Sequence, residues 1–192
     1  MTDALATAIA DHRRLLEDLG RQQAVLREIA RAIISAIEDD HRVYILGNGG
    51  SAADAQHIAA EFVNRYIMDR PPLPAIALTT DTSILTSISN DMAFSDIFSR
   101  QLKALGKEGD VAVGISTSGN SPNVIKAFEA AKEMGMKTVA LAGNDGGVLA
   151  KIADISLVVS SSSTPRVQET HILVGHLLCE MVEHQLFFKV TP

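Results

Sequence analysis

His57 and Glu61 stand four residues apart in "GNGGSAADAQHIAAEF" (47–62), a spacing that puts both side chains on one face of a helix. An imidazole and a carboxylate so placed can ligate one metal ion, act as ligand and general base, or simply pair at a solvated surface. Asp54 and Arg65 flank the same side. A second set lies in "PRVQETHILVGHLLCEMVEH" (165–184), with Gln168, Glu169, His171, His176, Glu180, Glu183 and His184. At 100° per residue, Gln168 and His176 differ by about 80° and look at one site from two turns apart, whereas His171 and His176 differ by about 140° and do not share one. Geometry therefore prefers one histidine without naming it, and His171 and His184 are each expected on a solvated face. Cys179 is the only cysteine, which excludes an internal disulfide and a thiolate zinc site. Any metal must be held by His, Asp, Glu or Gln.

Two loops could bind the substrate of such a site. "GNGGSA" (47–52) matches Gly47-x-Gly49-x-x-Ala52 of dinucleotide-binding turns, in which a helix N-terminus meets a pyrophosphate. The acidic residue that should follow about 20 positions later is missing, Asp81 lying too far on, and the lysine of a phosphate-binding P-loop is absent too. "GISTSGNSPN" (114–123) sets Ser116, Thr117, Ser118 and Ser121 around Gly119, just ahead of Pro122. Hydroxyls and free helix amides together cradle a single phosphate without lysine or metal. Turn and N-cap chemistry uses the same residue types, so composition alone leaves both uses open.

These residues need elements to hold them. Apolar positions at helical spacing from Thr2 to Glu38 predict one long amphipathic helix, or two joined near Gly20, facing either their own domain or another subunit. Beyond it, near-continuously apolar runs at 42–47, 74–79, 111–116, 137–143 and 155–160 read as strands buried on both faces. Helix-like segments fill the gaps at 51–67, 83–105 (broken near Asn90 and Asp91), 122–134 and 147–153. A closing helix is expected from about Pro165, at the first helical position, to Lys189. The pattern is an α/β chain with a doubly wound, five-stranded parallel sheet and an N-terminal helical extension. Residues 1–192 read as one domain, with 1–40 as packing or oligomerisation helices and 41–192 as the α/β core. Ligands of such sheets sit past the carboxyl ends of the strands, where the two loops fall.

Composition narrows the classes. A net charge of -6 over 192 residues gives no basic surface for nucleic acid. No apolar run reaches the roughly 18 residues of a membrane helix, and the N-terminal stretch lacks the pattern of a secretory signal, so a cytoplasmic protein is expected.

The quoted segments, with "NRY" (64–66), "SNDMAFSDIFSRQL" (89–102) and "RVQETHILVGH" (166–176), resemble the sugar isomerase (SIS) domain family over nearly the whole chain. They are most similar to the branch that isomerises heptose phosphates. "STSGNS" alone indicates only the sugar-phosphate domain; His57, Glu61, Gln168 and His176 together carry the narrower resemblance. It implies a flavodoxin-like fold and a homotetramer with N-terminal helices between subunits. The implied reaction is conversion of D-sedoheptulose 7-phosphate to D-glycero-D-manno-heptose 7-phosphate through an enediolate, the first step toward activated heptose for cell-surface glycans such as lipopolysaccharide. By the same resemblance His57, Glu61, Gln168 and His176 are the ligands of one zinc ion per subunit. Asn48, Gly49, Gly50, Ser51, Glu61, Arg65, Asn90, Asp91, Ser116, Thr117, Ser118, Ser121 and Gln168 form the substrate-binding set, and Glu61 and His176 are acid and base.

One position departs from the family, which often has an acidic residue where this chain has Pro165. Two alternatives stand beside the isomerase. A non-catalytic SIS tetramer that binds a protein partner, of the DnaA-associating kind, or senses a sugar phosphate has no need of the four-residue metal set. A nicotinamide oxidoreductase rests on the glycine spacing alone.

Overall fold

A computed structural model describes residues 3–188; the expected helix limits Thr2 and Lys189 lie outside them. Two helices, not one, open the fold. α1 (Ala4–Gly20) is capped by Asp3, whose side chain accepts the Ala6 N–H at 3.1 Å, and only Arg21 and Gln22 separate it from α2 (Gln23–Glu38). The five strands are β1 (Val43–Gly47), β2 (Ala75–Ala77), β3 (Val111–Ser116), β4 (Lys137–Gly143) and β5 (Ile155–Val159), all paired in parallel in the order β2-β1-β3-β4-β5. β1 and β3 are buried at every position, as the unbroken apolar runs require.

The remaining helices are α3 (Gly50–Val63), α4 (Thr82–Asp91), α5 (Ile97–Leu105), α6 (Pro122–Glu133), α7 (Gly147–Ile152) and α8 (Thr164–Phe187). The expected break near Asn90 is present: α4 ends at Asp91, and a 3-10 turn at Phe94–Asp96 leads into α5. Asp81, too distant for a ribose, serves as the N-cap of α4 and accepts the Ile84 N–H at 2.9 Å. Pro165 falls one place later than expected, because Thr164 is the first helical residue.

Alternate strand residues feed two cores. Val43, Ile45, Val113 and Ile115 pack with α1, α2, α3 and α8 on one face, while Tyr44, Leu46, Ala112 and Ala140 pack with α5, α6 and α7 on the other. The order in which strands are added reverses at β1 and β3, β2 lying on one side of β1 and β3 to β5 on the other, so the crevice past their carboxyl ends is the topological switch point. No helix among the described residues is long and apolar enough to cross a membrane.

Candidate active site

The loop after β1 is a tight turn. Ser51 donates its N–H to the Asn48 carbonyl at 3.0 Å, and Gly49 adopts φ 56°, ψ -120°, a conformation that fits glycine and few other residues. This turn launches α3 with no side-chain cap; the Ala52 and Ala53 N–H groups are taken by the Gly49 carbonyl, so what the turn offers an anion is the Gly50 amide and the positive end of the helix dipole. Across the switch point, the loop after β3 is equally tight: Gly119 (φ 66°) packs on the Gly146 backbone and donates its N–H to the Ser116 carbonyl at 3.1 Å. Ser116 and Ser121 share a hydrogen bond of 2.9 Å, Ser116 being buried. Thr117 is half-buried and Ser118 exposed. α6 starts at Pro122, which has no N–H, and the Val124 and Ile125 amides are taken by the Ser121 carbonyl, so this end contributes mainly the positive end of its dipole. Two helix N-termini and four hydroxyls thus surround one crevice, the arrangement an anionic group requires.

α3 and α8 run side by side in the same direction. Gln168 reaches α3 at its start, where a Cβ on Gly50 would fall 2.3 Å from its Nε2, and Gly175 lies against Ile58 further along. His176 therefore meets His57. Their Nε2 atoms are 3.4 Å apart, and His57 Nε2 lies 3.2 Å from Glu61 Oε1. Ligand atoms of all three residues fall within 4.8 Å of one another. Zn–N bonds of about 2.0–2.1 Å in a tetrahedron place neighbouring donors about 3.3–3.4 Å apart, which the His57–His176 and His57–Glu61 separations match. The fit also names the histidine that helical geometry left open. Side-chain exposure of 47 % at His57 and 24 % at Glu61 leaves the group reachable from solvent.

Gln168 lies two turns earlier on α8, its amide against Gly50. Asn48 is held by a buried neighbour, Asn123, that the sequence did not single out. Asn90 and Asp91 sit exposed at the end of α4, where Asn90 Nδ2 donates to Asp91 Oδ1 at 2.8 Å. Arg65 corrects an expectation: α3 stops at Val63 instead of residue 67, so Arg65 leaves the helical register of His57 and Glu61 and is exposed in the following connection. The expected solvated face holds for His184, but His171 is completely buried, with Nε2 3.2 Å from the Ala142 carbonyl. A cleft of about 600 Å³ at this end of the sheet is lined by Ser118, Asn120, Asn144, Asp145 and Ser160–Ser162, and shares the hydroxyl loop but none of the three clustered residues.

Electrostatics sharpen the picture. Burial raises the Asp54 carboxyl above its usual range, an effect that His57 partly offsets. Burial also pushes the Cys179 thiol up to about 12, so this lone cysteine is neither a thiolate ligand nor a nucleophile.

Residues 9–143 match the SIS domain family. The chain is 55 % identical over 162 residues to the phosphoheptose isomerase of Sulfurimonas denitrificans, covering 84 % of this chain and 83 % of the relative. It is 52 % identical over 190 residues to that of Desulfovibrio desulfuricans, covering 98 % and 90 %. Among solved structures, a phosphoheptose isomerase from Neisseria gonorrhoeae superimposes with a TM-score of 0.88 at 43 % identity, covering 93 % of this chain and 96 % of the other. One from Francisella tularensis reaches 0.92 at 36 % identity, covering 96 % and 100 %.

Proposed function

The chain belongs to the SIS domain family, among its phosphoheptose isomerases, and from that premise we infer that it converts D-sedoheptulose 7-phosphate to D-glycero-D-manno-heptose 7-phosphate. One observation carries the reading: three metal-ligating side chains converge two turns along α3 from the crevice lined by hydroxyls and two helix N-termini. His57 follows Gly50 by seven residues, a rise of about 10 Å, and a seven-carbon chain is long enough to put its carbonyl end at one place and its phosphate at the other. The relatives give no support to a partner-binding scaffold, and the 2-1-3-4-5 strand order is of the flavodoxin type rather than the dinucleotide-binding type.

Ser116, Thr117, Ser118 and Ser121, with the positive end of the α6 dipole, hold the phosphate in this reading. Asn48, Gly49, Gly50 and Ser51 line the polar chain of the sugar, and Arg65, Asn90 and Asp91 approach it from the exposed side. His57, Glu61 and His176 would hold a zinc ion, with Gln168, packed against Gly50 at the start of α3, as the fourth donor. When bound, the cation supplies Lewis-acid polarisation of the sugar oxygens.

Glu61 removes a proton from C1, giving a 1,2-enediolate, and returns it to C2, while the O1 hydroxyl proton passes to O2; the carbonyl has then moved from C2 to C1 with no net change in protons. A carboxylate suits this work because it has two oxygens: Oε1 faces His57, which leaves the other for the proton. A nitrogen lone pair given to a metal is not free for a proton, so carbon-to-carbon transfer falls to Glu61. His176 serves the oxygen-to-oxygen step when its Nε2 is disengaged.

The reading includes a homotetramer and a cytoplasmic setting. Support for assembly comes from α1, where Leu5, Ile9 and Leu16 remain exposed. The reaction is tested by NMR of sedoheptulose 7-phosphate with the purified protein, the metal-stripped protein and Glu61→Gln. An aldoheptose signal that both controls abolish supports the reading; no turnover with zinc restored overturns it.

A further inference from the structure

The connection after α3 is fastened from inside the protein by a buried ion pair. Glu183 stands on α8 seven residues beyond His176, and so on the same side of the helix. Its Oε1 accepts the N–H groups of Ile67 at 2.9 Å and Met68 at 2.7 Å, and its Oε2 accepts those of Tyr66 at 3.2 Å and Arg70 Nε at 2.8 Å. Arg70 donates onward through Nη1 to the carbonyls of Phe62 at 2.9 Å and Pro71 at 3.0 Å, and through Nη2 to that of Glu61 at 2.8 Å. The side chains of Arg70 and Glu183 are 2 % and 1 % exposed. Burial works against the Glu183 charge, but the amides of Met68, Ile67 and Tyr66 together with Arg70 outweigh it and hold the carboxyl below its usual range.

Two of the groups fixed in this way belong to the candidate site. One is the backbone of Glu61, whose carbonyl Arg70 takes in the last turn of α3. The other is Tyr66, whose ring stacks on His176 with centroids 5.7 Å apart and planes 27° from parallel. His57 meets His176 at 75°, with centroids 5.0 Å apart. His176 is thus stacked against Tyr66 and met by His57 at a steep angle. A buried ion pair contributes little net stability over an apolar replacement, so its use here calls for a reason beyond closing a loop.

We propose that the Glu183–Arg70 pair and Tyr66 are positioning residues for the cation site: the pair fixes the backbone at Glu61 and Tyr66, and the Tyr66 ring fixes the plane of His176 so that its Nε2 faces His57. The inference rests on the reading of His57, Glu61 and His176 as ligands. Residues that orient ligands in this way typically carry about 10–100-fold in metal affinity.

The test titrates metal-stripped wild type, Tyr66→Phe, Tyr66→Leu and Glu183→Gln with cobalt(II), following its visible absorption, and melts each protein without metal. Tyr66→Phe keeps the ring and is expected to bind within about threefold of wild type. Tyr66→Leu is expected to bind about tenfold or more weakly, with an altered spectrum and a metal-free Tm within a few degrees of wild type. Glu183→Gln is expected to lose both affinity and Tm; if it fails to fold, the two Tyr66 variants decide the matter. Tyr66→Leu with wild-type affinity and spectrum overturns the inference and leaves the site reading intact. A wild type that binds no cobalt overturns both.

Discussion

Asn48 and Asn123 form a closed amide pair, the Nδ2 of each donating to the Oδ1 of the other at 2.9 and 2.8 Å. Asn123 is 1 % exposed, and its Oδ1 also accepts the Val124 N–H at 3.0 Å, so it ties the turn after β1 to the first turn of α6. The two sides of the crevice are thereby held at fixed separation. Asn123→Ala should leave the Asn48 amide half-satisfied, lower stability by about 1–3 kcal/mol and raise KM for the phosphosugar more than it lowers kcat. Asn123→Asp can still accept from Asn48 and Val124 but cannot donate, and it adds a negative charge beside the proposed phosphate cradle. Its KM should rise further than that of the alanine variant. Steady-state kinetics on both variants check this, and an aspartate variant with wild-type KM would sink the idea that these loops hold an anion.

Gly50 and Gln168 make a second testable contact. A Cβ at Gly50 would lie 2.3 Å from Gln168 Nε2, and the obstacle is the free end of a flexible side chain. Gly50→Ala should therefore displace Gln168 without moving backbone. Because alanine favours a helix over glycine, stability should hold or rise by up to about 1 kcal/mol while activity falls. Gln168→Ala should lose activity to a similar degree, and the double variant should be no worse than either alone. Additive losses would mean that the two residues act separately.

The alternation of strands and helices was legible because strands buried on both faces are apolar at nearly every position, and Val43–Gly47 and Val111–Ser116 are. The end of α3 was not. Helical pattern continues toward residue 67, but the carboxylate of Glu183, distant in sequence, captures the amides of Tyr66, Ile67 and Met68 and turns the chain away. No local propensity encodes such a partner. His171 left a clue in Val167, Val174 and Leu178, which sit at helical spacing around it and are all buried, and so mark its face as interior. For Glu183 the clue was its seven-residue spacing from His176. The His57/Glu61 pairing was plain from the i,i+4 spacing, whereas the choice of His176 required the packing of α3 on α8.

His171 should make stability depend on pH. Burial lowers its pKa from 6.5 to about 4, against the opposing effect of the Ala142 carbonyl that accepts from its Nε2. The folded protein thus refuses a proton that the unfolded chain takes up. The stabilisation is complete above about pH 6.5 and is lost progressively as pH falls toward 4, a change on the order of 3 kcal/mol over the window. Denaturant unfolding at pH 7.5, 6 and 5 should show a shallower loss for His171→Leu than for wild type. Parallel slopes would show that His171 gains its proton without opening the fold.

A cation held by His57 and Glu61 from α3 and by His176 from α8 would bridge two helices that the unfolded chain does not bring together. Binding of that kind stabilises the folded state by mass action, by about 2.7 kcal/mol when free metal stands at 100 times its Kd. Metal-stripped protein should accordingly melt at a lower temperature than the same protein with zinc restored. His176→Ala should show a much smaller rise in Tm with zinc than wild type, because it leaves Gln168 as the only donor that α8 contributes. His57→Ala keeps donors on both helices but loses one of them, so its rise in Tm with zinc should shrink through weaker binding. If zinc still raises the Tm of His176→Ala as much as that of wild type, His176 does not hold the ion, and its convergence on His57 and Glu61 has another purpose.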